Sequence, residues 1–322
     1  MMIRRFFAQS IACIALAGTS AAVVAQPAVA PAGATTFPVP APDPFQAAAG
    51  TAAPAAVAPS AATAIAVPVA SPALRLYALD CGTVSLPDMG MFSDTGEYDG
   101  RSGSLAAPCF VVTHPSGTLL WDTGLGDSLA GKGPVTVDGG VILQVDRSLR
   151  SQLQAIGVRN IDYLAFSHLH FDHTGNAGAF PNATWLVNRT ELDTALNEPS
   201  PFINPDALQA GERTKKQLLD GDHDVFGDGT VRILKAPGHT PGHQVLLVRL
   251  AKSGPVILSG DLYHTRENRK YQRVPSFNAS RAETLASMNR IETLASNLGA
   301  RIIIQHDPVE FAALPRAPGY LE

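Results

Sequence analysis

Short apolar runs of strand length punctuate the chain from residue 74 onward. "LRLYALD" (74–80), "CFVVTH" (109–114), "TLLWDTG" (118–124), "IDYLAFSH" (161–168), "TWLVN" (184–188), "VRILKA" (231–236), "QVLLVRL" (244–250), "PVILSGD" (255–261) and "RIIIQHD" (301–307) are rich in aliphatic and β-branched residues, and several stop at Gly, Asp or His. Between them the apolar spacing changes to a helical period over 146–156, 189–197 and 280–298. In the last segment Leu285, Met288, Ile291 and Leu294 share one face. Strands interleaved with helices after a meandering β start predict an α/β sandwich in which two sheets pack together and helices cover their outer faces.

The first 72 residues do not follow this pattern. Residues 1–25 carry Arg4 and Arg5, then an apolar stretch to Val24 and "VVA" before Gln26, the layout of a secretory signal peptide. A membrane helix fits less well, because Gln9, Ser10, Gly18, Thr19 and Ser20 interrupt the run. "RRFF" partly matches a twin-arginine signal, so the export route stays open. Residues 26–72 hold ten of the 25 prolines and one charge, Asp43, a composition that predicts a disordered Ala/Pro-rich linker. Residues 73–322 are then long enough for one large domain. The expected destination is the periplasm or the medium, with no membrane span in the mature chain.

Charge narrows the partners. Without Arg4 and Arg5 the 24 basic residues become 22, against 28 acidic, a net of −6. Nothing in that balance points to nucleic acid, so the expected partner is a small-molecule substrate, with a homodimer left open. Cys81 and Cys109 remain after the signal is removed, and the sequence reads equally well as a disulfide or as two buried thiols.

The chemistry gathers at strand ends. "SHLHFDH", "APGHTPGH", "SGD" and "QHD" each set His or Asp directly after an apolar run, and "WDTG" does so with Asp122. In an extended segment alternate residues share a face, so His168 and His170 can point together, and a turn at Asp172 lets His173 face a neighbouring point. Neutral imidazole and carboxylate are ordinary zinc ligands. A lone histidine would read as a satisfied polar residue; three histidines and an aspartate in six positions, matched by further His and Asp at later strand ends, read as a metal site.

"HLHFDH" has the H-x-H-x-D-H pattern of the metallo-β-lactamase superfamily, and "PGHTPGH", "GD" and "HD" follow in that family's order. The stretches "SHLHFDHTGNAGAFPNATWLVNRTEL", "PGHTPGHQ", "HTRENRKYQRVPSF" and "IIIQHD" look like its N-acyl-homoserine lactonase group. The resemblance implies a four-layer αββα fold with two Zn²⁺, or Fe, Co or Mn in their place. His168, His170 and His239 would hold the first ion, Asp172, His173 and His306 the second, and Asp261 would bridge them. Ions so held would activate water and polarise a carbonyl, making a Ser or Cys nucleophile unnecessary. Asp172 would be placed to pass a proton to the leaving group.

The activity so implied is opening of the lactone ring of N-acyl-homoserine lactones, with β-lactams, organophosphate triesters or aryl esters as alternative substrates. A metal-binding module without catalysis is the reading from another class. In one place the sequence departs from the group: those lactonases carry a tyrosine three residues after the bridging aspartate, where this chain has His264, with Tyr263 one place earlier. His264 is therefore the expected donor to the substrate oxyanion. Phe171, Tyr263, Met91 and Phe92 are expected to contact substrate, the last two from a Gly- and Asp-rich stretch at 86–105. Asp122 is expected to orient a ligand histidine and His243 to act as a supporting group. His114 and His223, with no motif around them, are expected to be solvated.

Overall fold

A computed structural model describes residues 73–198 and 200–322. The signal peptide expected over 1–25 and the linker expected over 26–72 lie outside the described residues.

The chain begins with β1 (Arg75–Leu86), β2 (Gly103–His114), β3 (Gly117–Trp121), β4 (Val135–Thr136), β5 (Ile142–Gln144), α1 (Leu149–Ala155), β6 (Tyr163–Ala165) and the single turn α2 (Phe171–Thr174). It continues with β7 (Thr184–Asn188), α3 (Arg189–Asn197), α4 (Pro205–Arg213), β8 (Lys216–Leu219), β9 (His223–Asp224) and β10 (Val231–Lys235). β11 (Gln244–Leu250), β12 (Gly254–Leu258), α5 (Arg266–Tyr271), α6 (Arg281–Leu298), β13 (Arg301–Ile303) and α7 (Pro308–Ala312) complete it. Among the described residues the strands form an eight-stranded sheet, ordered β4-β5-β1-β2-β3-β6-β7-β8, and a five-stranded sheet, ordered β13-β12-β11-β10-β9.

Two neighbouring apolar residues in a strand point to opposite faces, and here both faces are covered. Val112, Leu119, Leu246 and Leu258 meet in the core between the two sheets. Their neighbours Val111 and Leu120 pack instead under Leu149 and Leu153 of α1 and Leu192 of α3. Leu247 and Ile257 pack under Met288, Ile291 and Ala295 of α6. Unbroken runs such as "FVV" and "VLLV" thus record strands buried on both sides, and the layers read helix, sheet, sheet, helix as expected. α6 starts at Ser280, whose side chain accepts from the Glu283 amide, and stops at Gly299 in the left-handed conformation (φ 60°).

Cys81 and Cys109 form a disulfide between the paired strands β1 and β2, with Cα atoms 5.7 Å apart. His114 is buried against expectation: its Nε2 lies 2.9 Å from Asp228 Oδ2, and its ring stacks on Phe226 at 4.1 Å. His223 is half-buried at the edge strand β9. No helix among the described residues is long and apolar enough to cross a membrane.

Candidate metal centre

The loops that leave β3, β6, β10, β12 and β13 carry the expected polar residues. His168, His170, His239 and Asp261 offer ligand atoms within 4.8 Å of one another, and so, as a second group, do Asp172, His173 and His306. In the first group His239 Nε2 stands 3.2 Å from His168 Nε2 and 3.2 Å from His170 Nδ1. In the second, His173 Nε2 and His306 Nε2 are 3.1 Å apart. Asp261, 4% exposed, reaches both: Oδ2 lies 3.2 Å from His239 Nε2, while Oδ1 lies 2.9 Å from His306 Nε2 and 3.1 Å from His173 Nε2. Asp172 Oδ2 is 3.6 Å from His306 Nε2.

The outward ring nitrogens explain why the inner ones face each other. His173 Nδ1 donates to Asp122 Oδ2 (3.0 Å), His306 Nδ1 to Ala106 O (2.5 Å) and His239 Nδ1 to Asn278 Oδ1 (2.9 Å). Asn278 Nδ2 is engaged with Thr284 Oγ1, which fixes its amide orientation. In the neutral tautomers assigned from these partners the proton sits on Nδ1, which leaves each Nε2 available as a lone-pair donor. In the first group burial keeps His168 and His239 neutral, and lone pairs facing one another at 3.2 Å gain nothing from each other. Two ligands about 2.0–2.1 Å from one tetrahedral ion stand about 3.3 Å apart, so the donor set fits metal ions.

Burial and charge divide the imidazoles. Burial holds His168 and His239 well below the ordinary histidine range and His170 down at about 4. Burial also acts on His173, but Asp261, Asp122 and Asp172 outweigh it and raise that ring well above the range. Burial would raise Asp261, yet His306, His173, His168 and His264 together hold it well below the carboxylate range.

The supporting residues lock the loops. Asp122 sits in the left-handed region (φ 56°), with Oδ1 accepting from the Ser167 amide at 2.7 Å and Oδ2 from Gln305 Nε2 at 2.9 Å. His243 is not among the metal-facing groups: its Nδ1 donates to Ala236 O and its Nε2 accepts the Asp261 amide, both at 2.9 Å. Burial lowers its pKa to about 4, which keeps that acceptor available. Gly260 (φ 49°) permits this approach, because a Cβ there would stand 2.6 Å from His243 Nε2.

His264 and Tyr263 part company. Tyr263 has extended backbone, so consecutive side chains take opposite sides. His264 faces the cluster, with Nε2 3.0 Å from Asp261 Oδ2 and its ring stacked on His306 at 5.5 Å. The expected substrate contact by Tyr263 is corrected: the ring is buried in the core under α6 and the hydroxyl donates to Glu292 Oε1 at 2.9 Å. Phe92 lies 5.0 Å from the His264 ring and packs edge-on against Phe277. Phe277 also meets His239, and Phe202 meets His170. Half-buried Met91 and Phe171 pack in the same cluster as Phe92 and Phe277, and Met91 O accepts from the Ser276 amide.

Sequence reasoning did not single out Ser167, Glu191, Phe202, Phe277, Asn278 or Gln305. Ser167 adjoins the motif, and its hydroxyl lies 3.0 Å from His168 Nδ1 and 3.2 Å from His173 Nδ1. Phe277 ends the quoted stretch "HTRENRKYQRVPSF" and Asn278 follows it. Gln305 lies inside "IIIQHD".

Residues 103–306 match the model of the metallo-beta-lactamase superfamily. N-acyl homoserine lactonase AttM of Azorhizobium caulinodans is 35% identical over 263 residues, 77% of this chain and 99% of that protein. N-acyl homoserine lactonase AiiA of Bacillus thuringiensis subsp. kurstaki is 30% identical over 241 residues, 72% and 93% of the two chains. A solved N-acyl homoserine lactone hydrolase, with N-hexanoyl-L-homoserine bound at its catalytic metal centre, superposes with a TM-score of 0.67 at 26% identity, covering 77% of this chain and 98% of that one. The chain belongs to the metallo-beta-lactamase superfamily, and it is a metal-dependent hydrolase whose curated relatives include N-acyl homoserine lactonases.

Proposed function

We propose that this chain is an exported quorum-quenching lactonase that opens the ring of N-acyl homoserine lactones with two divalent ions, zinc by the character of the donors. The observation that carries the reading is Asp261, one buried carboxylate whose two oxygens stand against the histidines of different groups. His168, His170 and His239 would hold one ion, Asp172, His173 and His306 the other, and Asp261 would serve both. Such ions would lower the pKa of water and polarise the ester carbonyl.

The remaining steps belong to side chains. Asp172, at 14% side-chain exposure the more open of the two donor carboxylates, takes the proton given up by the water that adds to the carbonyl and passes it to the ring oxygen as the C–O bond breaks. His264, whose Nε2 points into the cluster beside Asp261, donates Nε2–H to the developing oxyanion. Phe92, Phe202 and Phe277 form an apolar wall against which an acyl chain packs. Export draws support from the N-terminal pattern, and the disulfide suits an oxidising compartment.

The test is a pH-stat or mass-spectrometric assay of the metal-loaded protein on N-acyl homoserine lactones of several chain lengths, with nitrocefin and paraoxon in parallel. Ring opening that exceeds hydrolysis of the other two is the expected result. Strong nitrocefin hydrolysis without ring opening contradicts the proposal.

A further inference from the structure

The first donor group has a buttress that takes no part in the steps above. Glu191 stands in the first turn of α3, three residues past the N-cap Asn188, where a glutamate can face water and still favour the helix dipole. Instead it is 3% exposed. Its Oε1 accepts from the Leu169 amide at 2.9 Å and its Oε2 from the Gly242 amide at 3.0 Å. Leu169 lies between His168 and His170, and Gly242 follows His239 by three residues.

One carboxylate therefore joins two loops that come from different sheets, the one after β6 and the one after β10. The approach is close: a Cβ on Gly242 would stand 2.4 Å from the Glu191 amide nitrogen and 2.5 Å from its Cβ. Among the described residues no lysine or arginine pairs with Glu191; burial raises its pKa, and the Leu169 and Gly242 amides, with the Thr240 side chain, oppose that and favour the carboxylate. The second group is built without it. His173 rests on Asp122, and His306 rests on Ala106 O.

We propose that Glu191 is a positioning residue for the first metal position alone. It ties the segment carrying His168 and His170 to the segment carrying His239, so that three imidazoles converge before an ion arrives. The inference rests on the reading that each donor group holds one ion. Without the tie, the metal itself must draw the two loops together, and its affinity falls by that ordering cost.

Glu191→Gln keeps the shape but turns one acceptor into an NH₂ group facing a backbone N–H. The expected effect is a loss of about 10- to 100-fold in zinc affinity at the first position, the size seen when support behind a ligand is removed, with the second position unchanged. The experiment is stepwise chelator competition on the full zinc-loaded chain, with metal counted per chain. Where the wild type still holds two ions, Glu191→Gln should hold one, and adding Asp122→Asn should strip that one as well. Retention of both ions at wild-type affinity, or parallel loss of both, overturns the proposal.

A purely structural glutamate would lower the melting temperature of the metal-free chain and leave the ratio of the two affinities alone. A second measurement needs no variant. In the metal-free wild type, the Leu169 and Gly242 amides should exchange with solvent slowly, and exchange as fast as in exposed loops would overturn the assignment. Fewer than two ions on the wild type would instead contradict the two-ion reading itself.

Discussion

The two donor groups meet at Asp261 but are supported by different chemistry. Behind the first stand neutral partners, the Ser167 hydroxyl at His168 and the Asn278 carbonyl at His239, with Glu191 acting through the backbone. Behind the second, Asp122 backs His173 directly and is itself held by Gln305, whose Oε1 also accepts from Trp121 Nε1 and the Gly260 amide. A carboxylate behind an imidazole makes it a stronger donor. The second position should therefore keep its ion longer, and the first should depend more on how its loops are aligned.

The largest test of this contrast removes what the halves share. Asp261→Ala should lower turnover by about a thousandfold or more, a loss of several kcal/mol of charge stabilisation, and should leave fewer than two ions per chain by elemental analysis. Asp122→Asn keeps the shape and removes one charge, so chelator competition should show about 10- to 100-fold weaker binding at the second position. Equal weakening at both positions would erase the contrast. His264→Ala should lower kcat on every good substrate, and an unchanged kcat would remove His264 from catalysis. Phe277→Ala should reduce kcat/KM about tenfold for long acyl chains relative to short ones, the contribution of one apolar side chain.

The smallest effect is expected furthest away. His114 lies eight residues along β2 from Ala106, about 26 Å at the ordinary strand rise. Its contacts to Asp228 and Phe226 are structural, so His114→Ala should cost about 1 kcal/mol in a denaturant melt and leave kcat and KM unchanged.

The candidate donors were legible as a cluster because the fold delivers them as short motifs at the ends of apolar strands, each intact in sequence. Of the residues behind them, Asp122 and His243 were expected as supports, whereas Glu191 and Gln305 were not. Glu191 contacts Leu169 across 22 positions and Gly242 across 51, and Gln305 meets Asp122 across 183. "RTEL" reads as an ordinary helix start, and only the tertiary approach of Gly242 shows that the glutamate is buried. The strands of the central core announced themselves by doubly buried apolar runs, whereas β4, β5 and β9 are two or three residues long and exist through pairing with neighbours. α4 carries a legible start, Asn204 followed by Pro205, but buries only Ala207 and Gly211 and so lacks an apolar stripe. For Tyr263 and His264, backbone alternation decided which of two adjacent rings faces the cluster.

The central claim is that the two groups work as one unit through Asp261. Its most direct test is titration of the metal-free chain with Zn²⁺ while hydrolysis of N-hexanoyl homoserine lactone and bound metal are followed together. Turnover should remain low through the first equivalent and rise to its plateau with the second. Full turnover at one equivalent, with the second ion adding nothing, would contradict the account.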